Sequence, residues 1–318
     1  MELKIQTALR SRFLTKKNKR TFKEILNCKY LYLLLLPLFL DIIIFRYVPL
    51  YGLQIAFKEY NIVQGINASS WVGLENFISF FQSPYFWPLL SNTLLISGYL
   101  IIFGFPAPII LALILNEVKS KKFKGLVQTV SYLPHFIASV VVVGMVVGFL
   151  APETGIVNNL LEKLGFESVY FLARPKYFRT IYVCMNLWKT VGFSAIIYIA
   201  AIASINMELY EAACIDGAGR FSRLWHITLP GIKPTIIILF ILRLGGILDV
   251  DWQEILLLAN PLTKGVSDVL QTFVYERGLI DADFSYATAV NVFKSVIGFI
   301  LVISANKISK TVSETHIF

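Results

Sequence analysis

Charge is scarce in this chain. Only 15% of its 318 residues are Asp, Glu, Lys or Arg, and 56% are hydrophobic. A soluble domain carries about 25% charged residues, so the shortage excludes a soluble globular fold and leaves no room for a separate catalytic domain. Cysteine is limited to Cys28, Cys184 and Cys214, which are scattered and form no CxxC. They give neither a disulfide framework nor a zinc pattern and read as small packing residues. The three histidines, His135, His226 and His316, sit at or near cytoplasmic ends of apolar segments, and none belongs to an H-E-x-x-H. No G-x-x-x-x-G-K-S/T phosphate loop occurs. Gly192-Phe193-Ser194 faintly suggests a serine nucleophile turn but lacks its second glycine, so Ser194 is expected to pack against a helix. We therefore assign no catalytic residue, no metal ligand and no cofactor to this chain. No internal repeat or low-complexity region is visible.

What is present is long apolar runs. A bilayer span takes about 20 apolar residues, and six such runs are readable, roughly 30–52, 89–115, 126–150, 180–203, 234–258 and 286–306. The expected fold is an all-α bundle of six transmembrane helices. It spans residues 30–306, with a basic tail over 1–29 and a short C-terminus over 307–318. The formal net charge of +9 is unevenly placed. Nine Lys or Arg fall in the first 29 residues, Lys119, Lys121, Lys122 and Lys124 follow span two, and Arg220, Arg223 and Lys233 lie in a later loop. Acidic residues gather between Asp249 and Asp283. Positive charge marks the cytoplasmic side, so both termini are expected inside. The basic tail is expected to set topology and meet anionic lipid headgroups rather than nucleic acid. The first apolar run starts near Tyr30 and is long enough to remain as a span, so no cleavable signal peptide is expected.

Polar and helix-breaking residues mark places of interest within the spans. Asp41 lies inside span one, where an ionisable group must face protein or a cavity. Asn92 is expected as a cap or interhelical hydrogen-bond donor. Gly104, Pro106 and Pro108 kink span two, either as a hinge or cavity wall or as a static bend. Gly144 and Gly148 form a small-xxx-small pair expected to pack a neighbouring helix. The outer loop 151–178 reads either as a partner contact or as a plain connector. Span four carries Asn186, Trp188, Lys189 and Tyr198. Span five carries Arg243, Asp249, Trp252 and Glu254, and span six carries Asn291 and Lys294. At 1.5 Å per residue, Arg243 sits about 14 Å past Pro234, and Glu254 falls on nearly the same helical face. Aromatic faces and hydrogen-bonding heads of this kind suit a polar ligand with C–H surfaces. The other reading is structural, with Lys189, Arg243 and Lys294 paired to Asp249, Asp251 and Glu254.

One loop carries the strongest motif. Residues 211–230 read EAACIDGAGRFSRLWHITLP. Apolar and small residues at helical spacing run from Leu209 to Ile215, and Gly217 and Gly219 interrupt the helix. A second amphipathic piece holds Phe221, Leu224, Trp225 and Ile227, and Pro230, Gly231 and Pro234 set the exit into the next span. The expected shape is a helix–turn–helix knob suited to a groove on another protein. Glu211, Ala212, Ala213, then Asp216, Gly217, Ala218, then Ile227, Leu229 and Pro230 closely resemble the EAA loop (residues 205–233 here) of ABC importer permeases.

The resemblance to type I ABC importer permeases of the carbohydrate-uptake class runs from about residue 30 to 310. RYVPLYGLQIAFKEYN (46–61), WVGLENF (71–77), Phe86-Trp87 with Asn92-Thr93-Leu94, FGFPAPIILALILNE (103–117), YLPHF (132–136) and SYATAV (285–290) point to the branch serving oligo- and polysaccharide uptake. Span five departs from the family, which often has small or amide residues where Arg243 and Asp249 stand. The resemblance implies a multi-pass subunit of a bacterial plasma membrane that moves sugar by alternating access. It implies a second related permease, two ATPase subunits that bind ATP and Mg, and an extracytoplasmic sugar-binding protein. It also implies ATPase coupling through Glu211, Ala212, Ala213, Asp216, Gly217, Ala218, Leu229 and Pro230.

Overall fold

The computed structural model describes residues 29–313, so all but the last residue of the expected basic tail, together with Cys28 and His316, lies outside it. Five helices are long and apolar enough to cross a membrane: Tyr30–Phe57, Phe86–Glu117, Pro175–Ala203, Arg220–Gly245 and Phe284–Lys310. These are spans one, two, four, five and six. Span six continues without a break at residue 306, its helix running Phe284–Ser313.

The expected third span, 126–150, is not one straight helix. It divides into Lys121–Phe136 and Ser139–Phe149, bent by 103°. Pro134 tightens the last turn of the first arm, and Ile137 and Ala138 are extended. The backbone groups freed at the corner are taken up locally, with Val141 N and Val142 N donating to Ala138 O, as an apolar medium demands.

Span five also differs from expectation. The helix ends at Gly245, not 258, and backbone turns follow through Gly246 to Ile247. Adjacent glycines favour termination over propagation. Asp251 then caps a separate short helix, Trp252–Leu258. Lys264–Ser267 and Leu270–Tyr275 complete a folded segment before span six.

Span four is the axis. One buried cluster joins Tyr182, Val183 and Met185 to Ile96 and Leu100 of span two, Val142 and Val143 of the second arm, and Ile255 and Leu258. Another joins Ala195, Tyr198 and Ile202 to Ala112 and Ile232. Without a hydrophobic driving force between helices in lipid, close approach and polar ties carry association. Gly192 supplies the first, because a Cβ there would overlap the backbone carbonyl of Ser131 on the first arm. Gly144 and Gly148 do not serve as expected. Both are exposed, and an added Cβ would meet nothing within 4 Å.

One end of the bundle is built by polar ties. A two-residue ribbon pairs β1 (Lys58–Glu59) antiparallel with β2 (Ser70–Trp71). Asn76 donates to Ala56 O and Lys58 O at 3.0 and 3.2 Å, and Tyr60 N donates to Ser285 Oγ of span six at 2.8 Å. Asn92, expected as a donor, reaches Gly265 O and Asp268 O at 3.0 and 3.1 Å and accepts from Arg179 Nη2 at 2.7 Å. The loop after the broken span folds around buried Asn158, which donates to Ala151 O and Val169 O and accepts from Val169 N.

Span one stands apart. None of its most apolar stretch is buried; its 3-10 end, Val48–Phe57, packs on span six. Asp41 was expected to face protein or a cavity. Within this chain it is exposed.

Candidate functional site

Two regions hold the expected site residues. The first is a cavity of about 640 Å³ between spans two, four and five. Span four contributes Tyr182, Asn186, Thr190, Ser194 and Tyr198, and Phe193 adds an aromatic face. Arg243 in the last turn of span five, with Asp249 and Asp251 just beyond, forms the charged wall. Ser194 thus lines open space instead of packing against a helix. Arg243 is exposed to this space and makes no hydrogen bond or ion pair among the described residues.

The other two candidate cations, Lys189 and Lys294, are neutralised. Lys189 Nζ donates to Glu254 Oε1 and, at 2.8 Å, to Ser139 Oγ, which itself reaches Glu254 Oε1 at 3.3 Å. Glu254 is fully buried, and its second oxygen has no partner among the described residues. Lys294 Nζ donates to Asp249 Oδ1 at 2.5 Å and to Gln271 Oε1. Arg243 and Glu254 therefore do not share a helical face; they lie on separate helices, because span five ends between them. Among the expected pathway residues, the cavity gathers Asn186, Tyr198, Arg243 and Asp249. Trp188 lines an apolar groove of about 430 Å³ with Val142, Phe149 and Met185. Trp252 stacks on Tyr275 at 4.6 Å, beside Asn291. Sequence reading missed Tyr182, Thr190, Ser139 and Gln271. Ser139 and Gln271 carry no local signal, since their partners lie 50 and 23 residues away. Outside the spans, burial pushes the Asp268 carboxyl above its ordinary value; it accepts from Thr272 Oγ1 at 2.6 Å.

The second region is the 205–233 loop. Its helix runs Met207–Ile215, two residues earlier than expected, because Asn206 accepts from Glu208 N at 3.0 Å as N-cap. Gly217 takes φ +78°, with Gly217 N donating to Cys214 O and Ala218 N to Ala213 O. That pair of bonds is a Schellman cap, which requires the left-handed backbone glycine permits. The second piece is not separate from span five. Arg220–Arg223 continues through a π turn at Leu224–Thr228 into Leu229–Gly245, so Pro230 lies inside one continuous helix. Two ties brace the halves: Tyr210 Oη with Thr228 Oγ1 at 2.9 Å, and Arg223 Nη1 to Cys214 Sγ at 2.8 Å. Met207, Leu209, Ile215, Phe221 and Trp225 remain exposed, Ile215 by 86% and Phe221 by 81%. Glu211, Ala212, Asp216, Gly217 and Pro230 are also exposed, while Ala213, Ala218 and Leu229 are half-buried.

Comparison with known proteins agrees with this architecture. Residues 104–314 match the family described as binding-protein-dependent transport system inner membrane component. The chain is 44% identical over 290 residues to Protein LplB of Bacillus subtilis (strain 168), covering 91% of each chain. It is 43% identical over 306 residues to the polygalacturonan/rhamnogalacturonan transport system permease protein YteP of the same organism, covering 96% of this chain and 95% of that one. A crystal structure of a bacterial ABC transporter involved in import of the acidic polysaccharide alginate superposes with TM-score 0.84 at 46% identity, over 92% of this chain and 99% of that one. A second alginate transporter structure, in complex with a periplasmic protein bound to alginate pentasaccharide, gives TM-score 0.85 at 45% identity, over 93% and 99%. With a family match over most of its length and relatives this similar end to end, the chain is a multi-pass membrane protein belonging to the binding-protein-dependent transport system inner membrane components.

Proposed function

We propose that this chain is the permease subunit of an ATP-driven importer of oligo- or polysaccharides, passing sugar through the cavity by alternating access. The observation that carries the reading is the exposed apolar face of the braced 207–225 knob, on a chain whose relatives are named as polysaccharide transport permeases. Large apolar side chains exposed together on a polar loop mark a protein contact. The natural occupant of that contact is an ATPase subunit, because the sequence has no phosphate loop of its own. ATP and Mg are then bound by two such subunits. A sugar-binding protein delivers cargo on the outer side, and the termini and the knob face the cytoplasm.

A second related permease completes the cavity, in which Arg243 and Asp249 are exposed within this chain. Binding of ATP closes the two ATPase subunits, and the knob carries that closure to the spans as a rigid body. Glu211 and Asp216, both exposed, are placed to contact the ATPase. Gly217→Pro or Glu211→Lys is expected to abolish most sugar-stimulated ATP hydrolysis and uptake while the complex still assembles. The check is ATPase activity in liposomes with binding protein and sugar. Normal stimulation in both variants would remove the coupling role. The importer reading itself is tested by purifying the chain gently from its native membrane. Co-purification of an ATPase, a second permease and a sugar-binding protein supports it. A chain recovered alone, with uptake that survives ATP depletion and collapses with the ion gradient, overturns it.

A further inference from the structure

The geometry points to Arg243 as the residue that grips a carboxylate of the cargo and so selects acidic, uronate-bearing oligosaccharides over neutral ones. The inference rests on the carbohydrate-import reading above and names the chemistry its cavity recognises.

Three cations lie within the expected spans near this region, and they are not equivalent. Lys189 is neutralised by buried Glu254, and Lys294 by Asp249 and Gln271. Arg243 makes no ion pair and no hydrogen bond among the described residues, and it lines the 640 Å³ cavity together with Asp249 and Asp251. An ion inside a membrane protein faces a pathway or a counter-ion. Arg243 faces a pathway and, unlike Lys189 and Lys294, holds no carboxylate in direct contact among the described residues. Its guanidinium fork matches a carboxylate in two parallel bonds, which a lysine cannot reproduce. The helix end favours this cation, since Arg243 lies in the last turn of span five, where carbonyl groups lose their partners.

The rest of the lining supplies what the remainder of a uronate needs. Asn186, Thr190 and Ser194 can exchange hydrogen bonds with hydroxyls, and Phe193, one face of which is stacked on His135, adds apolar surface for C–H groups. Asp249 does not repel an acidic guest strongly, because Lys294 stands 2.5 Å behind it. Asp251 is turned to its own helix as the N-cap, taking Glu254 N, and its free oxygen can accept from a sugar hydroxyl. One arginine therefore sets the charge preference, and the neutral polar groups serve any sugar.

The test uses the whole complex in liposomes, with its partner permease, ATPases and binding protein. The probes are an oligogalacturonate and its methyl ester, each at a concentration that saturates the binding protein. Wild type is expected to move the acid faster than the ester. Arg243→Gln is expected to lose roughly tenfold to a hundredfold of acid transport, the scale of one charge-assisted hydrogen-bonded pair, with ester transport little changed. Arg243→Lys should restore part of the preference. Basal ATP hydrolysis without sugar reports on assembly of each variant. The proposal is overturned if wild type moves both forms alike, if Arg243→Gln leaves the acid-to-ester ratio unchanged, or if it lowers both forms equally. If neither probe stimulates ATP hydrolysis in wild type, but neutral oligosaccharides do, the acid assignment fails and the importer stands. If no saccharide of either kind does, the carbohydrate reading fails with it.

Discussion

Glu254 has no solvent exposure, and its cationic partner among the described residues, Lys189, reaches it from span four. Removing either partner of such a pair strands a buried charge, which costs about 3–5 kcal/mol. Replacing both by apolar groups of similar volume costs much less. Lys189→Met and Glu254→Leu are each expected to lower the thermal midpoint of the purified complex sharply, and the double variant to lie closer to wild type than the sum of the singles. Additive losses in a melting series would mean that the two side chains act independently. The sequence names both residues and leaves open whether they pair or line a pathway. It could not decide, because the pairing depends on where span five stops. Only the turns after Gly245 bring Glu254, 65 residues from Lys189 in sequence, back toward it. Arg243 is the reverse case: it looks like a candidate for a bridge in the sequence and has none among the described residues.

Three of the prolines coincide with widened turns. Pro49, Pro106 and Pro230 each stand two residues after the last residue of a π turn, Ile43–Tyr47, Leu100–Gly104 and Leu224–Thr228. A proline in a helix lacks its N–H, and its ring opposes the carbonyl four residues back. A widened turn moves that carbonyl aside without ending the helix. This is why Pro230 does not separate the second half of the knob from span five, although its presence reads as an exit signal. Spans two, four and six were legible from apolar length alone. The breaks in spans three and five were not, because apolar composition continues across Ile137-Ala138 and across Gly245-Gly246, and only Pro134 and the paired glycines hinted at them. Helix contact at Gly192 sets a further test. Gly192→Ala forces a methyl into the backbone carbonyl of Ser131, and overpacking of this kind costs about 1–3 kcal/mol. Gly125→Ala, with nothing within 4 Å of its added Cβ, should be neutral or slightly stabilising. Equal melting temperatures for the two variants would show that span four does not rest on the first arm.

Across the whole molecule, the unburied first span is the clearest sign of a missing neighbour. Asp41 is exposed on it, and a carboxylate in lipid costs about 2.5–3.5 kcal/mol even on the mildest scale. A second permease that supplies a polar partner would remove that penalty. Asp41→Leu is then expected to reduce co-purification of the second permease several-fold while leaving membrane insertion of this chain intact. Unchanged recovery would place Asp41 in a role confined to this chain. The bundle itself, the knob and the outer segment could be anticipated from sequence, since each has a local pattern. Which polar groups share the cavity could not, because that depends on crossings between segments far apart in the chain. Span five has one consequence for mechanics. Its 26 residues from Arg220 to Gly245 make a rod about 38 Å long at 1.5 Å per residue. Phe221 is near one tip and Arg243 near the other. A stiff rod pushed at its foot tilts at its head, and the π turn is the compliant joint nearest the foot. If the knob meets an ATPase and Arg243 grips the cargo, as proposed above, the fuel-burning machinery and that grip belong to a single lever, and unlatching the cargo needs no second messenger between them.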